Sequence, residues 1–324
     1  DVYKRQVVAL AAVLALVGAA CGTDDDAGEE KLTVVATTTI WGDVVQQIVG
    51  DEANVEVLMP VGADPHAYEA SSQQAAAIQE ADLVVANGLG LEEGLHDLFE
   101  AASEDGGNVF EVAPLVNPLP FAEDHDEHDE DADHDEHDED ADHDEHAHDG
   151  DDPHVWMDPD RVALAAALIA DELLELDSDG PWRDRANDYI SRLVGLDEEL
   201  AKDFGALSAD GRKMVTSHHS FGYFAERYNF EVIGVVIPGG STLGDPSSQE
   251  LADLVHEMEE ANARTIYTET TETTELADAV AAELGDDVSV VELYTGSIGE
   301  ASNGTATYIG MMRENGVRIV EANS

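Results

Sequence analysis

The hydrophobic pattern alternates between short apolar runs and longer amphipathic stretches along most of the chain. β-Branched runs predict strands at 32–37, 54–59, 81–86, 108–112, 212–216, 231–237, 265–268 and 289–293. Amphipathic spacing predicts helices at 41–49, 71–80, 92–102, 159–176, 181–207, 221–227, 247–261, 272–284 and 305–320. Strands that alternate with helices indicate parallel sheets with helical crossovers. The sequence therefore predicts an α/β protein with two similar lobes, each a parallel sheet flanked by helices.

One predicted helix is long enough to join the two lobes. Residues 181–207 are amphipathic throughout, with Pro181 near the start and no later proline. We expect this stretch to be a rigid connector between a first lobe at 31–180 and a second lobe at 208–324. Ligands of such sheets usually bind beyond the carboxyl ends of the strands.

The N-terminal segment has the pattern of an export signal. Two basic residues precede fourteen apolar residues, and Cys21 follows. Residues 1–21 resemble a bacterial lipoprotein signal in which Cys21 is lipid-modified, and 22–30 resemble a polar tether. The alternative is an ordinary signal peptide with an incidental cysteine. We expect an exported protein, anchored by lipid at the outer face of the cytoplasmic membrane or located in the periplasm.

Residues 121–152 are rich in histidine and acidic residues and predict a disordered loop. A nine-residue unit at 124–132 recurs unchanged at 133–141 and in a varied form at 142–150. Imidazole and carboxylate groups bind transition metals. The repeats therefore predict an auxiliary metal-binding segment. Its seven histidines are His125, His128, His134, His137, His143, His146 and His148.

The charge of the chain narrows the class of partner. There are 73 acidic residues against 14 Lys and Arg, a net charge of −59. Such a chain lacks the basic patches that bind nucleic acid. The acidity fits a protein that handles cations or one that stays soluble in high salt.

Six histidines lie outside the repeats. His66, His154 and His218 follow strand-like runs or precede helices, where binding sites are expected, and neutral imidazoles at such positions suit Zn²⁺. We expect His96 to pack against its surroundings or to face water, and His256 to be a helix-surface residue. His219 is predicted to face solvent or to orient His218.

Five motifs lie around these histidines and toward the end of the chain: ADPHAYE at 63–69, DPHVWMDP at 152–159, SHHSFGYF at 217–224, IYTE at 266–269 and YIGMMRENG at 308–316. In these motifs the chain resembles the metal-binding subunit of the zinc/manganese class of ABC importers. The resemblance implies two α/β lobes joined by one long helix, with the metal between them. It also implies a non-enzymatic, monomeric protein that delivers Zn²⁺, or alternatively Mn²⁺ or Fe²⁺, to a membrane permease and its ATPase. His66 and His154 would supply ligands from the first lobe and His218 from the second.

The fourth ligand is where the chain departs from that family. The family usually places an Asp after the last strand, and we expect Tyr294 at that position, where a neutral phenol is a poor ligand. The fourth position is then predicted to hold water, Glu269, Glu300 or a carboxylate from the repeats. Glu269 is the first choice, and its alternative role is to hydrogen-bond a ligating histidine.

Two other functional classes stay open from the residues alone. Three histidines with an open water position also describe a hydrolytic zinc centre, although no nucleophile motif accompanies them. The repeats also fit a surface metal sink or adhesin that transports nothing.

Overall fold

The computed structural model describes residues 31–121, 150–285 and 287–323. The described residues from Thr33 onward belong to one compact unit that contains two four-stranded parallel sheets. The first sheet has the order β2-β1-β3-β4 and the second has the order β6-β5-β7-β8. The predicted fold of two α/β lobes is confirmed. The strands are β1 (Thr33–Ala36), β2 (Asn54–Val57), β3 (Leu83–Ala86), β4 (Val109–Glu111), β5 (Lys213–Thr216), β6 (Glu231–Val235), β7 (Thr265–Glu269) and β8 (Ser289–Leu293).

Helices flank both sheets, and capping side chains set several of their ends. The Thr38 side chain accepts a hydrogen bond from the Trp41 backbone, so the first helix begins two residues earlier than predicted. Thr307 caps the last helix in the same way, which moves its start from 305 to 308. The helices are α1 (Thr39–Val49), α2 (Ser72–Glu80), α3 (His96–Glu104), α4 (Pro159–Leu176), α5 (Trp182–Phe204), α6 (Gly222–Tyr228), α7 (Ser248–Ala261), α8 (Glu275–Leu284) and α9 (Tyr308–Ala322).

Helix α5 contacts both lobes through its charged face. Arg192 donates to Gln47 on α1 of the first lobe at 2.7 Å. Toward the second lobe, Glu199 accepts from Arg313 on α9 at 2.9 Å, and Asp197 accepts from Arg227 on α6 at 2.8 Å. A helix held on both sides in this way limits how far the lobes can move apart. Among the described helices, none is long and apolar enough to span a membrane.

Segments at the carboxyl ends of the two sheets contact each other across the cleft between the lobes. Thr39, at the start of α1, lies 3.2 Å from Ser297 of the second lobe, oxygen to oxygen. The Ser297 hydroxyl also accepts from the Gly62 backbone at 2.9 Å. Trp156, from the segment before α4, donates to the Thr295 carbonyl at 2.8 Å. Because the site residues follow these strand ends, the fold brings loops of both lobes together.

Candidate metal centre

Three buried histidines converge at the cleft between the lobes. His66 lies in the loop after β2, His154 precedes a 3-10 turn at Val155–Met157, and His218 follows β5. Their exposed fractions are 4%, 2% and 1%. The three residues predicted from sequence are therefore neighbours in space, although 64 and 88 positions separate His154 from the other two.

The ring nitrogens of the three histidines point at one another. His154 Nε2 lies 3.3 Å from His66 Nε2 and 3.1 Å from His218 Nε2. Two nitrogens that each lie about 2.0–2.1 Å from a tetrahedral ion are about 3.3 Å apart. The two distances therefore match two edges of a zinc coordination tetrahedron.

One ring of the cluster, that of His66, is kept neutral by its surroundings. Burial, with the neighbouring His154 and His218 rings, lowers the pKa of His66 to about 2. His66 is then neutral at pH 7, and a neutral imidazole can offer a ring nitrogen lone pair to an ion. Three imidazole nitrogens that converge in this way are a donor set that suits a cation such as Zn²⁺.

Each histidine faces a carboxylate with its other ring nitrogen. His154 Nδ1 lies 2.7 Å from Asp152 Oδ1, and His218 Nδ1 lies 2.6 Å from Glu269 Oε1. His66 Nδ1 is 3.8 Å from Glu93 Oε1, which is beyond hydrogen-bond distance. Carboxylates on this side orient metal-binding imidazoles and make them better donors. His154 and His218 thus each have a carboxylate within 2.7 Å of Nδ1, and His66 does not.

Glu269, at the end of β7, is buried, and both oxygens of its carboxylate accept hydrogen bonds. Its oxygens accept hydrogen bonds from Ser220 at 3.1 Å and from Thr295. Burial alone lowers the pKa of His218, but the Glu269 carboxylate outweighs it and raises that pKa. Burial raises the pKa of Glu269 itself, and His218 reverses this, so the Glu269 pKa lies below its usual value. Of the two roles predicted for Glu269, these contacts favour the orienting one.

The other residues considered for the fourth position lie away from the cluster. The Tyr294 hydroxyl accepts from Asn303 at 3.1 Å, and Arg318 lies over the Tyr294 ring at 4.9 Å. Glu300 is exposed on the surface of the second lobe. Beside His66, a Cβ added at Gly296 would lie 2.7 Å from Pro65 Cδ, so the backbone of the second lobe approaches the first lobe closely there.

The remaining predicted residues are placed as follows. His96 and His256 are exposed on helices, as expected, and His256 Nε2 lies 3.5 Å from Glu260. His219 is half-buried, and its backbone donates to the Gly239 carbonyl. The residues that lie outside the described part of the chain are Cys21 and the repeat histidines His125, His128, His134, His137, His143, His146 and His148.

Sequence reasoning missed the carboxylates at Asp152 and Glu93. The signal for Asp152 was a repeated Asp-Pro-His sequence, at 64–66 and again at 152–154. In both copies the aspartate accepts a hydrogen bond from the histidine backbone, at 3.0 Å for His66 and 2.9 Å for His154. Nothing in the sequence pattern marks Glu93, because β3 lies between it and His66 in the chain and only the fold brings the two side chains together.

The fold and this histidine cluster are those of a metal-binding, extracytoplasmic solute-binding protein of an ABC importer. The profile of the family described as "Zinc-uptake complex component A periplasmic" matches residues 34–322, and the chain belongs to this family. Membership confirms the expectation of a binding protein rather than an enzyme.

Similar proteins carry names for two different metals. The manganese-binding lipoprotein MntA of Halalkalibacterium halodurans is 30% identical over 308 residues, 94% of this chain and 93% of that protein. The zinc-binding lipoprotein AdcA of Streptococcus pneumoniae is 30% identical over 318 residues, 96% of this chain and 60% of that protein. The solved periplasmic zinc-binding protein TroA of Treponema pallidum superposes with a TM-score of 0.76. It has 26% identity, over 91% of this chain and 99% of that one.

Proposed function

We propose that the chain captures one Zn²⁺ ion with His66, His154 and His218 and delivers it to the permease and ATPase of an ABC importer. The observation that carries the proposal is the convergence of three buried Nε2 atoms at 3.1 and 3.3 Å. Two ligands come from the first lobe and one from the second, so the bound ion joins the lobes.

The donor set favours zinc over manganese. Imidazole nitrogens suit Zn²⁺, whereas Mn²⁺ prefers carboxylate and other oxygen ligands. At this site Asp152 and Glu269 lie against the Nδ1 atoms and orient the rings. Water is the fourth ligand in this proposal, because Glu269 is engaged by His218, Ser220 and Thr295. Manganese is the second candidate, since MntA carries that name.

Calorimetric titration with Zn²⁺ and Mn²⁺ tests the site. The protein should lack residues 124–149, so that the repeat histidines do not contribute to the heat. We expect one tight Zn²⁺ site and weaker Mn²⁺ binding. His66→Ala, His154→Ala and His218→Ala should each weaken Zn²⁺ binding by at least about 100-fold, since removing even an orienting partner costs 10–100-fold.

His256 provides the matched control, because its side chain is 70% exposed and is not part of the histidine cluster. His256→Ala should leave binding unchanged. Zinc binding as tight as the parent's in all three cluster variants would contradict the site, and tighter Mn²⁺ than Zn²⁺ binding would contradict the choice of metal.

Lipid attachment at Cys21 and collection of metal by the repeats remain parts of this proposal. The Cys21→Ala variant should lose the mass of a diacylglycerol-type modification and be released from the membrane fraction. Deletion of residues 124–150 should slow zinc uptake under zinc starvation while calorimetry on the purified variant still shows the tight site. An unchanged uptake rate would mean that the repeats have no transport role.

A further inference from the structure

The two Asp-Pro-His turns hold their histidines differently. In the second turn, Asp152 Oδ1 reaches both the backbone nitrogen of His154 at 2.9 Å and its ring Nδ1 at 2.7 Å. In the first turn, Asp64 Oδ1 reaches only the backbone nitrogen of His66. The nearest carboxylate oxygen lies 2.7 Å from Nδ1 of His154 and 2.6 Å from Nδ1 of His218. For His66 that distance is 3.8 Å, to Glu93 Oε1, so its ring is the one without a close carboxylate.

A segment of the second lobe engages the carboxylates of Asp64 and Glu93. We call residues 239–243, the turn after β6, the strap. Ser241 Oγ donates to Glu93 Oε1 at 2.9 Å, and Thr242 Oγ1 donates to Asp64 Oδ2 at 2.6 Å. Gly240 lies against the Phe121 ring of the first lobe, so a side chain larger than hydrogen would collide there. The strap is thus seated on the first lobe beside His66.

Ser241 and His66 both lie near the same oxygen atom of Glu93, but only Ser241 is within hydrogen-bond distance of it. Glu93 Oε1 is 2.9 Å from Ser241 Oγ and 3.8 Å from His66 Nδ1. The Glu93 side chain is 46% exposed, so it has room to turn toward the imidazole. With Nε2 on the metal, Nδ1 of His66 carries a proton and needs an acceptor.

We propose that Glu93 is a positioning residue for His66 and that the hydrogen bond from Ser241 keeps the Glu93 carboxylate away from the His66 ring. His66 is then the ligand that releases the metal first. This inference rests on the proposed function. When the strap holds Glu93, His66 lacks an orienting carboxylate and binds weakly. When the hydrogen bond from Ser241 is broken, Glu93 accepts a hydrogen bond from Nδ1–H of His66. His66 then binds the metal more strongly. The strap thereby links the position of the second lobe to the strength of a ligand from the first.

The test compares zinc dissociation from four proteins that lack residues 124–149: the parent, Ser241→Ala, Glu93→Ala and the double variant. Loaded protein is mixed rapidly with excess chelator, and the release of Zn²⁺ is followed. We expect Ser241→Ala to slow dissociation about 10-fold, at the lower end of what an orienting partner contributes. The double variant should lose the whole gain, because no carboxylate then remains to accept the Nδ1 proton of His66. Glu93→Ala alone supplies the rate with which the double variant is compared. The bond from Thr242 to Asp64 keeps the strap seated in the Ser241→Ala variant.

Two further measurements separate this idea from a general loosening of the strap. Leu243→Ala alters an exposed apolar side chain of the same segment and should leave the rate unchanged. In ¹⁵N NMR spectra of the zinc-loaded protein, the Nδ1 proton of His66 should exchange more slowly in Ser241→Ala than in the parent. A gain that persists in the double variant, or a parent-like rate in Ser241→Ala, overturns the inference. If the parent binds no zinc, or His66→Ala binds it as tightly, the proposed function itself fails.

Discussion

Asp152 holds His154 at two points with a single oxygen atom. Its Oδ1 accepts from the His154 backbone at 2.9 Å and lies 2.7 Å from the ring Nδ1. The backbone bond places the residue, and the ring contact sets the direction in which Nε2 points. Because one buried carboxylate does both, the central histidine of the cluster is oriented before any metal arrives.

Removal of that carboxylate should weaken metal binding without removing a ligand. We expect Asp152→Ala to lower Zn²⁺ affinity by about 10–100-fold, because an orienting partner of a metal-binding histidine typically contributes that much. Competition with a calibrated chelator measures the change. Asp151→Ala, at the exposed neighbouring position, is the control and should match the parent. Equal affinities for the two variants would show that His154 needs no such partner.

The Glu269 carboxylate should set where acid weakens binding. It raises the pKa of His218 against the effect of burial, so in the parent a proton competes for His218 from a higher pH than for an ordinary histidine. We expect Zn²⁺ affinity to fall as pH decreases through that raised pKa. In Glu269→Gln the fall should move to lower pH, while affinity at pH 8 is also reduced. Chelator competition between pH 5 and 8 measures both curves, and superimposable shapes would refute the coupling.

Glu272 should make the metal-free protein less stable as pH rises. Burial, then the nearby Glu269 charge, raises its pKa to about 7. The folded state therefore binds the proton more tightly than the unfolded state, and stability falls as pH rises from about 4.5 to 7. After allowance for its partial exposure, Glu272→Gln should stabilise by about 1 kcal/mol at pH 8 and by nothing at pH 4. Urea unfolding at both pH values measures this. Glu283→Gln, at an exposed position, should show no such difference.

The end of helix α5 should be a strong contributor to stability. The Phe204 ring packs edge-on against Phe224, Tyr228 and Phe230, with centroids 5.1–5.2 Å apart. Phe204→Ala leaves a cavity and should cost about 3–5 kcal/mol of unfolding free energy. Val194→Ala, at an exposed position of the same helix, should cost much less. Denaturant unfolding compares the two, and similar losses would mean that the ring cluster collapses around the gap.

Most strands and helices could be predicted from local pattern alone. Helix α4 begins and ends at the predicted residues, because Pro159 fixes its first turn and Asp158 caps it. The strand order could not be predicted, since apolar runs such as β1 and β3 look alike until they pair. The same limit applies to the site. The sequence identified His66, His154 and His218 as candidates, but whether Glu269 meets a metal or a ring nitrogen depends on which way His218 turns.

The predicted position of Tyr294 illustrates the same limit. Position along the chain placed it where a ligand was expected, yet its ring turns toward Asn303 and Arg318. Two residues further along the chain, the backbone of Gly296 lies close to Pro65 of the first lobe. Side chains alternate between two faces only within a strand, and β8 ends at Leu293. The direction of the Tyr294 side chain therefore could not be predicted from its position along the chain.

The bare backbone at Gly296 makes the width of the cleft depend on one residue. Pro65 lies directly against it, and His66 is the next residue along the chain. Any side chain at position 296 would act as a spacer that pushes the first lobe outward and lengthens the distance from His66 to His218. The distance between the proposed ligands His66 and His218, and with it the size of the ion that they could bind, would thus depend on Gly296 as well as on the imidazoles themselves.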